Sequence, residues 1–115
     1  MDEIIKNKPE GFDVISGDDG ITFPLITLGA VGVISVLGNA FPAEFSKMNR
    51  LALEGNYAEA LTIHHQFTEI INLLFADGNP AGAKAMLNIM GMCENKLRLP
   101  LVPAREATYE KLRAA

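Results

Sequence analysis

The feature that most constrains the fold is a pair of short apolar segments separated by one helix-like segment. Residues 12–16 form a short run with β-branched residues that ends at a Gly-Asp-Asp-Gly turn at 17–20, and residues 32–36 form a second, nearly all-apolar run. Residues 22–28 between them have the pattern of a short helix, with Pro24 in its first turn. Two strands joined through a helix are normally parallel neighbours with a right-handed crossover, so a hairpin is excluded.

Two such strands do not make a stable sheet by themselves. Both outer edges would leave N–H and C=O groups unpaired beside apolar side chains. A parallel barrel of eight strand–helix units needs about 250 residues, whereas this sequence has 115. The pattern therefore predicts an α/β fragment: the last two parallel strands of a (β/α)8 TIM barrel followed by a carboxy-terminal helical region, mostly helical overall.

The periodicity changes to that of helices from Phe41 onward. Start and stop residues predict one helix from Pro42 to Gly55, a second from its N-cap Asn56 to Asp77-Gly78, a third from Asn79-Pro80 to Gly91, and a last one over 104–115. We therefore expect a partial barrel segment at residues 1–40, and the last barrel helix with the carboxy-terminal helical region at residues 41–115.

The acidic turn at residues 17–20 is the first candidate site, because barrel enzymes keep their active-site loops after the strands. Its two carboxylates could be catalytic or bind a cation. Asp and Gly are also ordinary turn residues, and two adjacent carboxylates offer too few ligands for a metal ion. A turn or helix-cap role is the favoured interpretation.

His64 and His65 are the second candidate. Adjacent helical residues point about 100° apart, so the two rings do not share one metal ion easily. The sequence predicts that His64 packs on the apolar face and His65 is solvated. For Met86, Met90 and Met92 it predicts core packing.

Composition excludes several classes of function. The net charge is −4 and the ten Lys and Arg residues are scattered, which argues against nucleic acid as a partner. No apolar run is long enough for a signal peptide or a membrane span. The single cysteine, Cys93, is predicted to be a buried, inert thiol in a helix, which favours a reducing compartment, the cytoplasm. No glycine-rich phosphate loop or nucleophile arrangement is present, and we expect no cofactor and no metal.

Four segments together resemble one enzyme family. Val14-Ile15-Ser16-Gly17-Asp18-Asp19 and the run Leu-Gly-Ala-Val-Gly-Val-Ile-Ser-Val at 28–36, with Asn39, are similar to the seventh and eighth barrel strands of the dihydrodipicolinate synthase family. Asp-Gly-Asn-Pro at 77–80 with Lys84, and Leu-Arg-Leu-Pro-Leu at 97–101, resemble its carboxy-terminal region in order and spacing. The resemblance covers essentially the whole chain.

The resemblance implies a lyase of lysine biosynthesis. In that family pyruvate forms a Schiff base with a lysine on the sixth strand, and the enamine attacks aspartate semialdehyde. That lysine lies upstream of the segment matched here, so the chain is expected to be inactive alone, with no catalytic residue of its own. By matching position, the resemblance makes Gly17 and Ile34 substrate-binding residues, with Gly17 at the mouth of the pocket and Ile34 bordering bound pyruvate. Exposed sheet edges and helix faces predict a homo-oligomer.

Two other interpretations stay open at this point. One is another pyruvate-dependent lyase of the same superfamily, a sialic acid or sugar-acid aldolase, since such enzymes share the barrel. The other is a non-enzymatic helical assembly module in which the barrel remnant is an assembly surface. An in-frame Lys-Glu-Ala-Ser-like strand upstream of Met1 would favour the synthase.

Overall fold

A computed structural model describes residues 1–115 and contains six helices and two strands. In chain order these are α1 (Asp2–Asn7), β1 (Ile15–Ser16), α2 (Thr22–Thr27), β2 (Gly32–Val33), α3 (Pro42–Leu53), α4 (Tyr57–Phe75), α5 (Ala81–Ile89) and α6 (Glu106–Ala114). Short 3₁₀ turns occupy Asp19–Ile21, before α2, and Leu37–Asn39, before α3. More than half of the chain is therefore helical.

The two strands are parallel and are joined through α2, as the sequence predicts. Ile15 lies opposite Gly32, and Ser16 lies opposite Val33. Both strands are shorter than predicted, with two residues each in place of 12–16 and 32–36. The second strand stops early because the backbone of Val36 is helical and leads into the 3₁₀ turn at Leu37–Asn39.

The four helices predicted after residue 41 are present, as α3, α4, α5 and α6. Pro42 starts α3, and Gly55 and Gly78 follow α3 and α4 with positive φ, a conformation that glycine adopts without steric cost. The predicted N-cap of the second helix differs. Asn56 directly precedes α4, but its amide donates to the Glu59 carboxylate at 2.9 Å instead of capping the helix backbone.

One helix was not expected, because the first residues have no apolar periodicity. Helix α1 buries no side chain. Local charge explains its position: Asp2 and Glu3 occupy the first turn and Lys6 the last, which matches the helix dipole at both ends.

A single hydrophobic core joins the two parts of the chain. Its 13 buried residues include Ile26 and Leu37 from the first forty residues, and Ala60, Phe67 and Leu74 from α4. No helix in the structure is both long and apolar enough to cross a membrane.

Helices α4 and α5 approach each other most closely at Gly82. A Cβ atom added to this glycine would overlap the backbone carbonyl group of Leu74. Ala81, Ala83 and Ala85 around it are also buried, so α5 lies against α4 through small residues. This close contact positions the start of α5 beside the end of β2.

Three predictions about side-chain burial after α5 are wrong. Met86 is buried as predicted, but Met90 and Met92 are 40% and 65% exposed. Cys93 is half-buried and lies in a turn rather than a helix, where its carbonyl accepts a hydrogen bond from Asn88 at 2.9 Å. The reason is that α5 ends at Ile89, so the residues after it no longer follow the helical period on which these predictions rest.

Candidate functional site

The carboxyl ends of the two strands bring Gly17 and Ile34 side by side. Gly17 directly follows β1, Ile34 directly follows β2, and the Ile34 N–H donates to the Ser16 carbonyl at 2.9 Å. Both residues are exposed, and Ile34 is an apolar residue with 77% of its surface accessible to solvent. The structure thus places the two predicted binding residues together on an open apolar surface.

Hydrogen bonds hold the acidic turn after β1 in one shape. Asp18 Oδ1 accepts the Gly20 N–H at 2.8 Å, which caps the 3₁₀ turn. The Thr22 hydroxyl donates to the Asp18 carbonyl at 2.8 Å, and the Asp18 N–H donates to Ser16 Oγ at 3.2 Å. The favoured cap role of this turn is therefore confirmed for Asp18.

Asp19 connects the two strand ends. It is only 1% exposed, and its Oδ2 accepts the backbone N–H groups of Val36 at 3.0 Å and Leu37 at 2.8 Å. A buried carboxylate is stabilised by such charge-assisted hydrogen bonds. Its role is thus to hold the turn after β1 against the turn after β2. Sequence reasoning missed this role, because nothing near residue 19 indicates a partner 17 positions away.

A cleft of about 400 Å³ begins at Ile34 and continues between the end of β2 and the start of α5. Its one charged lining residue is Lys84, on α5, and its amide-bearing lining residues are Asn39 and Asn79. Lys84 is half-buried, its backbone N–H donates to the Pro80 carbonyl at 2.9 Å, and its side chain makes no hydrogen bond or ion pair. In the sequence Lys84 is recognisable only as part of a motif, since helical spacing alone does not show that α5 faces β2.

The histidine pair lies outside this cleft. His64 is half-buried against the ring of Phe23, with ring centroids 5.6 Å apart, and His65 is exposed, as predicted. Burial lowers the pKa of His64 below its ordinary value of 6.5, and the neighbouring charge of His65 lowers it further. His64 thus packs α4 against α2. No group of three or more His, Cys, Asp or Glu residues is arranged to hold a metal ion.

Taken together, the two parallel strands, their connecting helix and the cleft at their carboxyl ends define a class of protein. They are the closing strand–helix units of a parallel α/β barrel, in which ligands bind at the carboxyl ends of the strands. The model of the dihydrodipicolinate synthetase family matches residues 1–115, and the chain belongs to this family.

Relatives with high sequence identity carry one name. The chain is 78% identical over 114 residues to the 4-hydroxy-tetrahydrodipicolinate synthase of Phocaeicola vulgatus, a match that covers 99% of this chain and 38% of that protein. It is 76% identical to the enzyme of the same name from Parabacteroides distasonis, over 98% of this chain and 38% of that protein. The chain thus spans 38% of the length of these curated relatives.

Solved structures confirm the predicted fold class. The crystal structure of dihydrodipicolinate synthase from Aquifex aeolicus superposes with a TM-score of 0.93 at 42% identity, covering 98% of this chain and 39% of that one. The chloride-inhibited dihydrodipicolinate synthase from Acinetobacter baumannii, complexed with pyruvate, superposes with a TM-score of 0.93 at 34% identity. This match covers 98% of this chain and 39% of that one. The chain has the fold of the last part of this barrel.

Proposed function

We propose that this chain forms one wall of the pyruvate site of a 4-hydroxy-tetrahydrodipicolinate synthase, which condenses pyruvate with aspartate semialdehyde in lysine biosynthesis. The observation that carries the proposal is the adjacency of Gly17 and Ile34 at the carboxyl ends of β1 and β2. The A. baumannii relative was solved with pyruvate, which supports this substrate. Both curated relatives cited above bear the synthase name, which favours this branch over a sialic acid or sugar-acid aldolase.

The roles of the two residues differ. A Cβ atom added at Gly17 would have no neighbour within 4 Å, so the glycine keeps the mouth of the site open. Ile34 supplies an apolar surface and a backbone that is held by Ser16. Asp19 keeps the two strand ends in register through Val36 and Leu37. These groups bind and position pyruvate, and none of them is a nucleophile.

The chemistry requires a lysine whose amine is neutral near physiological pH, which an apolar pocket provides by lowering its pKa. No lysine of this chain lies on β1 or β2. The six lysines are Lys6 on α1, Lys8, whose ammonium group donates to the Phe12 carbonyl, Lys47 on α3, Lys84 on α5, Lys96 paired with Glu94, and Lys111 on α6. We therefore expect the chain alone to be inactive, with the nucleophile supplied by the part of the barrel that precedes these two strands.

Borohydride reduction in the presence of pyruvate tests this proposal. We expect the intact mass of the chain alone to remain unchanged, and labelling to appear on the added polypeptide when the chain is mixed with the amino-terminal part of the P. vulgatus relative. Peptide mapping locates the adduct. A single stoichiometric adduct on a lysine of this chain would contradict the proposal that the nucleophile comes from the preceding part of the barrel.

The compartment and the assembly remain part of this proposal. We place the enzyme in the cytoplasm, where the unpaired thiol of Cys93 stays reduced. The exposed apolar side chains of Phe12, Ile15 and Ile34 favour contact with further polypeptide, either the remaining strands or a second copy of the chain. The same exposure is what an assembly module would show, and the pyruvate labelling experiment separates the two functions.

A further inference from the structure

Two clefts adjoin each other along the start of α5. The first, of about 400 Å³, begins at Ile34 and reaches Pro80 and Lys84. The second, of about 490 Å³, is lined by Pro80 and Lys84 again and by Lys96, Leu97, Arg98 and Leu101. Because they share Pro80 and Lys84, the two clefts form one groove, which we call the α5 groove. It leads from the surface of the 96–101 segment to the carboxyl end of β2.

The charged side chains that line the α5 groove are all cationic. They are Lys84, Lys96 and Arg98, and no Asp or Glu lines either cleft. Only Lys96 has an ion-pair partner, Glu94 at 2.7 Å, and both of these side chains are more than three-quarters exposed. Such a surface pair is screened by solvent and neutralises little of the field in the groove. This local charge contrasts with the net charge of −4 for the chain.

The position of Lys84 is the most informative. It is half-buried at the junction of the two clefts, and neither a carboxylate nor a backbone carbonyl accepts a hydrogen bond from its ammonium group. An ammonium group that is partly removed from water and lacks a partner is stabilised when an anion binds beside it. The Asn79 amide, also without a hydrogen-bond partner, lines the same cleft and can donate to that anion.

We propose that the α5 groove is an entry path for small carboxylate substrates, with Lys84 as the residue that binds the carboxylate before it reaches Ile34. The inference rests on the proposed function, since both of its substrates carry a carboxylate. A groove lined by charges of one sign focuses the electric field and raises the local concentration and association rate of oppositely charged ligands. The cleft beside Ile34 is large enough to admit a molecule of this size.

Titration of the 115-residue chain with malonate, followed by amide NMR shifts, tests the groove directly. We expect saturable shifts at residues 79–87 that weaken as salt is added, and no shifts with uncharged malonamide. Lys84→Met should lower the affinity for malonate by about tenfold, whereas Lys111→Met on α6, outside the groove, should leave it unchanged. Shifts of equal affinity in the Lys84→Met and original chains would overturn the proposal.

A second pair of variants protects the test against a folding defect. Arg98→Gln changes an exposed groove residue outside any helix, and it should also weaken malonate binding and reduce its salt dependence. Lys84→Arg keeps the charge and should restore most of the affinity lost in Lys84→Met. If neither Arg98→Gln nor Lys84→Met alters binding, the groove is not the carboxylate path.

Kinetics distinguish an entry path from a structural role for Lys84. In an active complex of this chain with the amino-terminal part of a relative, Lys84→Met should raise the KM for aspartate semialdehyde and leave kcat nearly unchanged. A fall in kcat at unchanged KM would contradict the proposal. The malonate titration needs no catalysis, so malonate binding without pyruvate labelling would refute only the proposed function. Labelling without malonate binding would refute only the groove.

Discussion

At residue 19 a buried carboxylate pairs with backbone amides just beyond the end of β2. Val36 and Leu37 lie where the chain leaves the strand for a 3₁₀ turn, and Asp19 Oδ2 accepts both of their N–H groups. Unpaired amides at this buried position would be costly, so the carboxylate stabilises the turn that follows β2. Ile34 lies two residues before Val36, the first of these two donors.

Gly82 provides the first prediction, on stability. Replacing it by alanine places a Cβ atom against the Leu74 carbonyl, so α4 and α5 must move apart. We expect Gly82→Ala to lower the free energy of unfolding by about 1–3 kcal/mol, the usual range for overpacking. Urea denaturation followed by circular dichroism measures this. Gly32→Ala is the matched control, because a Cβ atom there meets nothing within 4 Å. Equal stability of the two variants would contradict the close approach.

At the scale of elements, Asp77 ties the end of α4 to the start of α6. Its carboxylate accepts the Arg105 backbone N–H at 2.9 Å and the Arg105 Nε–H at 2.6 Å. Hydrogen bonds from the Arg105 side chain, and then from Thr108, lower the pKa of Asp77 from 3.8 to about 2. Because α5 lies between these two helices in the chain, the contact between Asp77 and Arg105 also joins the two ends of the segment that forms the groove.

The second prediction is that the stability gained from the contact between Asp77 and Arg105 depends on pH. The pKa of Asp77 is lower in the folded than in the unfolded state, so its stabilising contribution is fully present above pH 3.8 and is lost as the pH falls through about 2. We expect Asp77→Asn to be less stable than the original chain at neutral pH, with the difference shrinking below pH 3.8. Urea unfolding at a series of pH values measures it. Glu94→Gln, which alters an exposed pair, should show no such convergence.

The proposed boundary at residue 40 leads to the third prediction. Helix α4 buries Ala60 and Leu74 completely through local helical structure, whereas the two strands have two residues each and one neighbour each. Local opening needs less free energy where few buried contacts are broken. Hydrogen exchange should therefore show residues 60–74 protected and residues 12–36 more labile. Equal protection in both regions would argue that the whole chain opens as one unit.

At the scale of the whole molecule, the main feature is the exposed surface of the two-stranded sheet. Phe12, Ile15 and Ile34 are each about half or more exposed, and each outer edge of the sheet lacks a neighbouring strand. Exposed parallel edges beside apolar side chains favour pairing with another chain. The homo-oligomer expected from the sequence stays a prediction that this surface supports.

Self-association of the isolated chain is the fourth prediction. Sedimentation velocity at several protein concentrations should show species larger than a monomer that increase with concentration. Ile34→Ser should shift this equilibrium towards monomer, because it removes the most exposed apolar side chain of the site. Lys111→Ser, on the exposed face of α6, serves as the control. A compact monomer at every concentration would rule out the prediction.

The sequence by itself determined the strand–helix–strand order and the positions of α3, α4 and α5. These features depend on local signals: the 3.6-residue period, Pro42 at a helix start, and Gly55 and Gly78 at helix ends. It also placed Gly17 and Ile34 at the carboxyl ends of neighbouring strands, because the parallel pairing follows from the connecting helix.

Only the tertiary structure decided which distant residues meet. No local pattern predicts the hydrogen bonds that Val36 and Leu37 donate to Asp19, or the exposure of Met92 beyond α5. The same holds for the overlap with Leu74 that Gly82 avoids. The α5 groove is of the same kind, since Lys84 and Ile34 come together only when α5 docks beside β2. Periodicity describes which face of an element is apolar, whereas the neighbour that the face meets depends on how the elements pack in three dimensions.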